Sequence, residues 1–277
     1  MENVAIVGVG LIGASFGLAL RRVGFSGPIL GVSSPDAIKA GLASGAISEE
    51  ATLSRALAEA ELIYLAQPVD RIIETIQTIG LAVRPDCLIT DAGSTKSFIT
   101  ATAAQHLRPG VFLGGHPMAG KEQRGAQAAD AALFCGRPYV LTPTGEISAR
   151  MVEFEHWLTR IQARIVIMSP TEHDEVVALT SHLPQLLSTA LSATLAQQAH
   201  PRLFDVFGPG LLEMTRLALS SPDIWNSVLE TNRQPVLNAL DQLAATLRTL
   251  TNDLQAGRGI DVVFASAQQF AAKLRMG

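Results

Sequence analysis

Six histidines occur in the chain, and one of them, His116, stands where it could do chemistry. It lies in the run Gly114-Gly115-His116-Pro117-Met118-Ala119-Gly120, read as a loop after a short apolar strand at 111–113. A neutral imidazole, with an ordinary pKa of about 6.5, can take a hydroxyl proton as hydride leaves the same carbon. A lone loop histidine is ordinarily solvated or structural, but the glycines around this one imply close approach to another group and favour function. A second polar loop, Asp91-Ala92-Gly93-Ser94-Thr95-Lys96, follows a strand at 88–90. Both loops fall at strand ends, where open α/β sheets bind ligands.

A third loop, Gly8-Val9-Gly10-Leu11-Ile12-Gly13, has the G-x-G-x-x-G pattern between a strand at 4–7 and a helix. There the first glycine permits a tight turn and the second lets backbone N–H groups approach a pyrophosphate. The third lets helix and strand pack closely, and the helix N-terminus favours the negative charge. A dinucleotide is therefore expected on Gly8, Gly10, Leu11, Ile12 and Gly13, with Ser33, Asp91 and Ser94 completing the cofactor set. An acidic residue usually stands about 20 residues on to hold the adenosine ribose, but here Ser33 and Ser34 occupy the slot. A serine can bond a ribose hydroxyl and does not repel a 2′-phosphate, yet no arginine sits in this loop to clamp one. NAD or NADP is expected, with a slight lean towards NADP being accepted. No metal is expected.

The elements that must position these residues alternate. Short apolar runs at 4–7, 29–32, 62–66, 88–90, 111–113, 139–142 and 165–168 read as strands buried on both faces. Stretches such as 70–80 and 97–106 have room for helices between them, which predicts a parallel sheet. From Ser169 the pattern changes. Ser169-Pro170-Thr171-Glu172 is a capping box with Pro at the first helical position. Helical spacing of apolar residues then runs through 176–195 and 236–254. The fold class is α/β: a Rossmann-type dinucleotide-binding domain over residues 1–168 and an all-helical domain over 169–277 for substrate and dimerisation. So apolar a helical segment must bury a face, and a second copy of itself is the simplest candidate.

Over its 277 residues, Lys and Arg number 21 against 25 Asp and Glu, and no basic stripe appears, which argues against a nucleic-acid partner. With 48% hydrophobic and 17% charged residues the chain is no disordered protein. No apolar stretch is long enough to span a membrane, and the apolar N-terminus, without a basic n-region or a small-residue cleavage site, is not expected to be a signal peptide. Cys87 and Cys135, in or beside apolar runs, read as two reduced buried thiols in a cytoplasmic protein.

Five motifs carry a family resemblance. They are Gly8–Ser15, Asp91–Lys96, His116-Pro117-Met118-Ala119-Gly120, Ser181-His182-Leu183-Pro184, and the cluster Glu213-Met214-Thr215-Arg216 with Ser221–Trp225. In order and spacing the chain resembles the prephenate/arogenate (cyclohexadienyl) dehydrogenases of tyrosine biosynthesis, from residue 4 to about residue 233. The resemblance implies oxidative decarboxylation: hydride leaves the hydroxyl-bearing ring carbon, CO2 leaves, and the ring becomes aromatic. It implies that His116 takes the hydroxyl proton with Ser94 as its hydrogen-bond partner, and that Arg216 holds a substrate carboxylate. It also implies that His182 lines the substrate site, with Glu213 and Trp225 at the pocket or an interface.

Several residues depart from the family pattern. Ser33 replaces the usual acid, Phe207-Gly208-Pro209-Gly210 precedes the arginine cluster, Glu213 stands where a shorter Asp is common, and Pro235 is expected to interrupt a helix. With the last residue at Gly277, no appended regulatory domain is expected. A dehydrogenase of the wider hydroxyacid group is the alternative, disfavoured because residues 169–250 contain no lysine. A non-catalytic redox sensor would not need Ser94, His116 and Arg216.

Overall fold

The computed structural model describes residues 1–198 and 200–276. Eight strands, β1 (Val4–Val7), β2 (Ile29–Val32), β3 (Glu49–Glu50), β4 (Leu62–Leu65), β5 (Leu88–Asp91), β6 (Phe112–Pro117), β7 (Pro138–Thr142) and β8 (Arg164–Ile167), form one sheet. Their order is β3-β2-β1-β4-β5-β6-β7-β8. The helices between them are α1 (Leu11–Arg22), α2 (Pro35–Ser44), α3 (Leu53–Glu59), α4 (Val69–Ile79), α5 (Ser97–His106) and α6 (Ala149–Arg160). The apolar runs became strands, and the central ones are buried on both faces: Val4 and Ile6 enter one core cluster, while Ala5 and Val7 enter the other. Against expectation β8, at the edge of the sheet, is exposed or half-buried along its length. Chain order reverses direction at β1 beside β4, so a crevice opens at the carboxyl ends of these strands.

Two expectations need correction. The sheet is not all parallel, because β6 and β7 pair antiparallel. Between them lies only a short 3₁₀ turn, Ala126–Ala128, and without a crossover helix the chain simply reverses. His116 is also not in a loop: β6 runs on through Gly114-Gly115-His116-Pro117, with His116 opposite Val140. The glycines are explained by that pairing. A Cβ on Gly115 would lie 2.6 Å from the Asp91 carbonyl oxygen, and one on Gly114 would lie 2.3 Å from Thr142 Oγ1. The close approach they imply is therefore to neighbouring strands. Strand β3, two exposed glutamates, carries no apolar signal and was not anticipated.

After β8 the described chain is helical: α7 (Pro170–Val177), a π turn (Ala178–His182), α8 (Leu183–Ala196), α9 (Pro209–Thr215), a 3₁₀ turn (Arg216–Leu219), α10 (Pro222–Thr231), α11 (Arg233–Gln255) and α12 (Asp261–Met276). Ser169 Oγ accepts from Glu172 N at 3.1 Å, so the capping box forms. The helix expected over 176–195 is broken by the π turn, which ends two residues before Pro184. Pro184 has no N–H to return to the carbonyl of residue 180, and the widened turn accommodates that loss. Pro235 does not interrupt a helix. It sits in the first turn of α11, where an N–H would have no helical partner, and the break falls at Asn232. Cys87 is buried, whereas Cys135 is only half-buried and its Sγ accepts from Arg22 at 2.8 Å.

Candidate active site

The glycine loop is sterically dictated. Gly8 has φ +96°, and a Cβ there would lie 2.7 Å from the Ala66 carbonyl oxygen. A Cβ on Gly13 would lie 2.1 Å from the Gly8 carbonyl oxygen, whereas one on Gly10 would meet nothing within 4 Å. Gly10 thus faces open space at the start of α1. That helix end carries no side-chain cap and no acidic residue in its first turn, which leaves the N–H groups of Leu11, Ile12 and Gly13 for an anion. A cleft of about 830 Å³ lies in front of it, lined by Gly8, Gly10, Ser33, Ser34, Asp36, Gln67 and Arg71 among others. The glycine cradle and the uncapped helix fit a dinucleotide pyrophosphate, and Ser33 lines the same cleft. Arg71, from α4, supplies the cation missing from the Ser33 loop, and Asp36 is the one carboxylate among the lining residues. Neither was anticipated, because each joins the cleft through a helix start rather than through the loop itself.

Asp91, expected at the cofactor, lies beneath the site instead. It is fully buried, paired with the Lys96 ammonium, and accepts from Gly93 N at 2.8 Å and Gly115 N at 3.1 Å. Three protein donors hold it there. Burial pulls the Lys96 ammonium down, and the Asp91 carboxylate opposes that pull.

His116 is buried, and its Nδ1 meets His173 Nε2 at 2.8 Å. His173 Nδ1 in turn meets Asp174 Oδ1 at 2.8 Å. Asp174, on α7, caps α5: Oδ1 accepts from Lys96 N at 2.7 Å and Oδ2 from Ser97 N at 2.9 Å. Among the described residues no bond joins Ser94 to His116. Ser94 is half-buried in the β5–α5 loop, and the partner of His116 Nδ1 is His173. The sequence showed His173-Asp174 only as part of a helix start; their adjacency gave no sign of a partner 57 residues earlier.

Burial holds His116 well below the ordinary histidine range, with His173, Lys96 and His182 adding to the effect. Burial likewise lowers His173, against the opposing pull of Asp174. For Asp174 burial acts upwards, but the hydrogen bonds from His173, Lys96 N and Ser97 N outweigh it and keep the carboxylate ionised. The site therefore presents neutral imidazoles at pH 7.

His182 closes the π turn and is buried, its Nδ1 3.2 Å from Asn232 Nδ2 and its ring edge-on to Trp225 at 5.7 Å. Burial pushes it down to about 4. Trp225 Nε1 donates to Ser220 Oγ at 3.0 Å. Arg216 is exposed at the end of α9, and its Nη1 donates to Glu122 Oε1 at 3.0 Å. That contact ties the helical part to the segment just after His116. Glu213 is exposed on α9.

Comparison with known proteins identifies the family. Two family models match in order: the nucleotide-binding domain of prephenate dehydrogenase over residues 16–167 and its dimerization domain over residues 169–264. A prephenate dehydrogenase of Lactococcus lactis is 34% identical over 248 residues, covering 87% of this chain and 68% of the relative. The crystal structure of prephenate dehydrogenase from A. aeolicus in complex with hydroxyphenyl propionate and NAD+ superposes with a TM-score of 0.91 at 29% identity, covering 100% of this chain and 99% of that one. Synechocystis arogenate dehydrogenase superposes at 0.83 with 26% identity, covering 100% of both chains. Matched by both family models in order over residues 16–264, the chain belongs to the prephenate dehydrogenase family and is an NAD(P)-dependent oxidoreductase of that kind.

Proposed function

We propose that the chain oxidises the hydroxyl-bearing ring carbon of prephenate or arogenate with loss of the ring carboxylate, and that His116 is the base. The observation that carries this reading is a buried, neutral imidazole at a strand end of the sheet that also holds the dinucleotide cradle. A bound dinucleotide supplies the hydride acceptor. His116 takes the hydroxyl proton as hydride departs, and the C–CO2 bond then breaks with its electron pair entering the ring. The proton held on His116 can return to the phenolate oxygen so formed, so the base is regenerated. Arg216 offers a planar fork for a substrate carboxylate once it exchanges Glu122 for the ligand. His182 and Trp225 line the ring pocket, Glu213 borders it, and Ser94 bonds the reacting hydroxyl beside His116. Cofactor reduction with each substrate and each dinucleotide tests the reading; no reduction with either substrate would refute it.

Four further parts belong to the same reading. NADP is accepted alongside NAD, because Ser33 itself offers no charge against a 2′-phosphate and Arg71 lines the same cleft as a counterweight to Asp36. The protein divides at residue 168 into dinucleotide-binding and helical parts. The helical part pairs with a second copy, since Phe204, Val206, Leu219 and Val262 are each at least 80% exposed in the single chain. The setting is cytoplasmic, with both thiols free. Among the described residues no helix is long and apolar enough to cross a membrane.

A further inference from the structure

We propose that Asp174 and His173 are positioning residues that fix which nitrogen of His116 acts as the base. The argument is one of proton counting along a chain of three groups. The Asp174 carboxylate can only accept, and it faces His173 Nδ1 at 2.8 Å, so that nitrogen carries a hydrogen. A neutral His173 then has its lone pair on Nε2, which lies 2.8 Å from His116 Nδ1. His116 must donate there, so its own lone pair lies on Nε2, the nitrogen facing away from the relay. The opposite tautomer of His173 would set a lone pair against a carboxylate. Asp174 is itself held by Lys96 N and Ser97 N at the start of α5. The helical part thereby sets the protonation pattern of a histidine on the sheet.

This inference rests on His116 being the base, and it adds a switch. If His173 gains a proton, its Nε2 becomes a donor, His116 Nδ1 must accept, and Nε2 of His116 takes the hydrogen and ceases to be a base. The charged and titratable groups around the pair are Asp174 on α7, Lys96 at the start of α5 with its partner Asp91 on β5, and His182 on the π turn. Of these, Asp174 and Asp91 favour the added proton, and Lys96, together with burial, opposes it. One proton therefore silences two histidines, and the acid limb of kcat belongs to the pair rather than to His116 alone.

Two measurements test this. In the full-length wild type with NAD+ bound, ¹⁵N imidazole NMR at pH 7.5, with His116 assigned by comparison with His116→Asn, should show Nδ1 protonated and Nε2 unprotonated. A protonated Nε2 overturns the proposal whatever the enzyme turns over. In the second, His173→Gln keeps a carbonyl able to accept from His116 Nδ1, and His173→Leu does not. The Leu variant should lose about 10- to 1,000-fold in kcat, less than the full contribution of about 100- to 10,000-fold for a general base, with KM values little changed. The Gln variant should recover at least about tenfold of that loss. Equal losses in Gln and Leu, or an unchanged kcat in Leu, would overturn the proposal. Should neither variant fold, the wild-type spectrum still decides. Should the wild type oxidise neither substrate, the functional reading fails while the tautomer result stands.

Discussion

Removing the Lys96 ammonium should destabilise the fold far more than any surface charge does. Lys96 and Asp91 are both fully buried and face one another under the site. Lys96→Met keeps much of the stem volume but leaves Asp91 buried with only the N–H groups of Gly93 and Gly115. Breaking one partner of a buried pair costs about 3–5 kcal/mol, and the two remaining N–H donors place this case near the lower figure. With an unfolding entropy of about 2.1 cal/mol/K per residue over 277 residues, 3 kcal/mol corresponds to a Tm lower by about 5 °C. The reciprocal change, Asp91→Asn, should behave differently with pH. Burial already pulls Lys96 down, and the loss of Asp91 removes most of what opposes it, leaving only the weaker pull of Asp174. The unfolded chain then binds the Lys96 proton up to its ordinary pKa of about 10.4 while the folded chain does not. Stability therefore rises with pH between the lowered folded value and about 10.4. Urea unfolding followed by circular dichroism at pH 7 and pH 9 measures both variants. A Lys96→Met loss below about 1 kcal/mol, the range of an exposed pair, would refute the reasoning, as would an Asp91→Asn deficit that does not shrink at pH 9.

Other outcomes follow from the same structure. Ser33→Asp should shift preference towards NAD. Arg71→Ala should raise the KM for NADP by about tenfold, the low end for a charge-assisted hydrogen bond, and leave that for NAD nearly unchanged; equal effects on both would remove Arg71 from the 2′-phosphate. Arg216→Lys keeps the charge and loses the fork, so the substrate KM should rise more than kcat falls, and an unchanged KM would remove Arg216 from the site. His116, His173 and His182 are all lowered by burial, so the unfolded chain binds protons that the native chain does not. Their contribution to stability is complete above the unfolded pKa of about 6.5 and is lost as pH falls below it, by up to about 1.4 kcal/mol per pH unit for each histidine. A urea midpoint equal at pH 7 and pH 5 would contradict that.

Features set by local sterics were the most legible in the sequence. Gly8 and Gly13 admit no Cβ, and the Ser169 cap and the buried strands follow from neighbouring residue types. Features set by distant packing were not. Gly114 and Gly115 looked like a ligand's approach but answer to Thr142 and the β5 backbone. Asp91 looked like a cofactor ligand but serves the buried pair with Lys96. The His116–His173–Asp174 chain joins residues from β6 and α7, and neither segment alone signals the other. Arg71 reaches the Ser33 cleft from a different crossover. The apolar spacing over 176–195 gave no sign of the π turn that ends at His182, two residues before Pro184.

The most direct test of His116 as the base is the pH dependence of kcat for the wild type and His116→Asn, with prephenate and with arogenate. The wild-type kcat should fall on the acid side, with a midpoint below the ordinary histidine value of about 6.5, because burial keeps the imidazole neutral. His116→Asn should lose about 100- to 10,000-fold in kcat, lose the acid limb, and bind dinucleotide as before. Near-wild-type turnover in His116→Asn, with the acid limb still in place, would show that another group takes the proton.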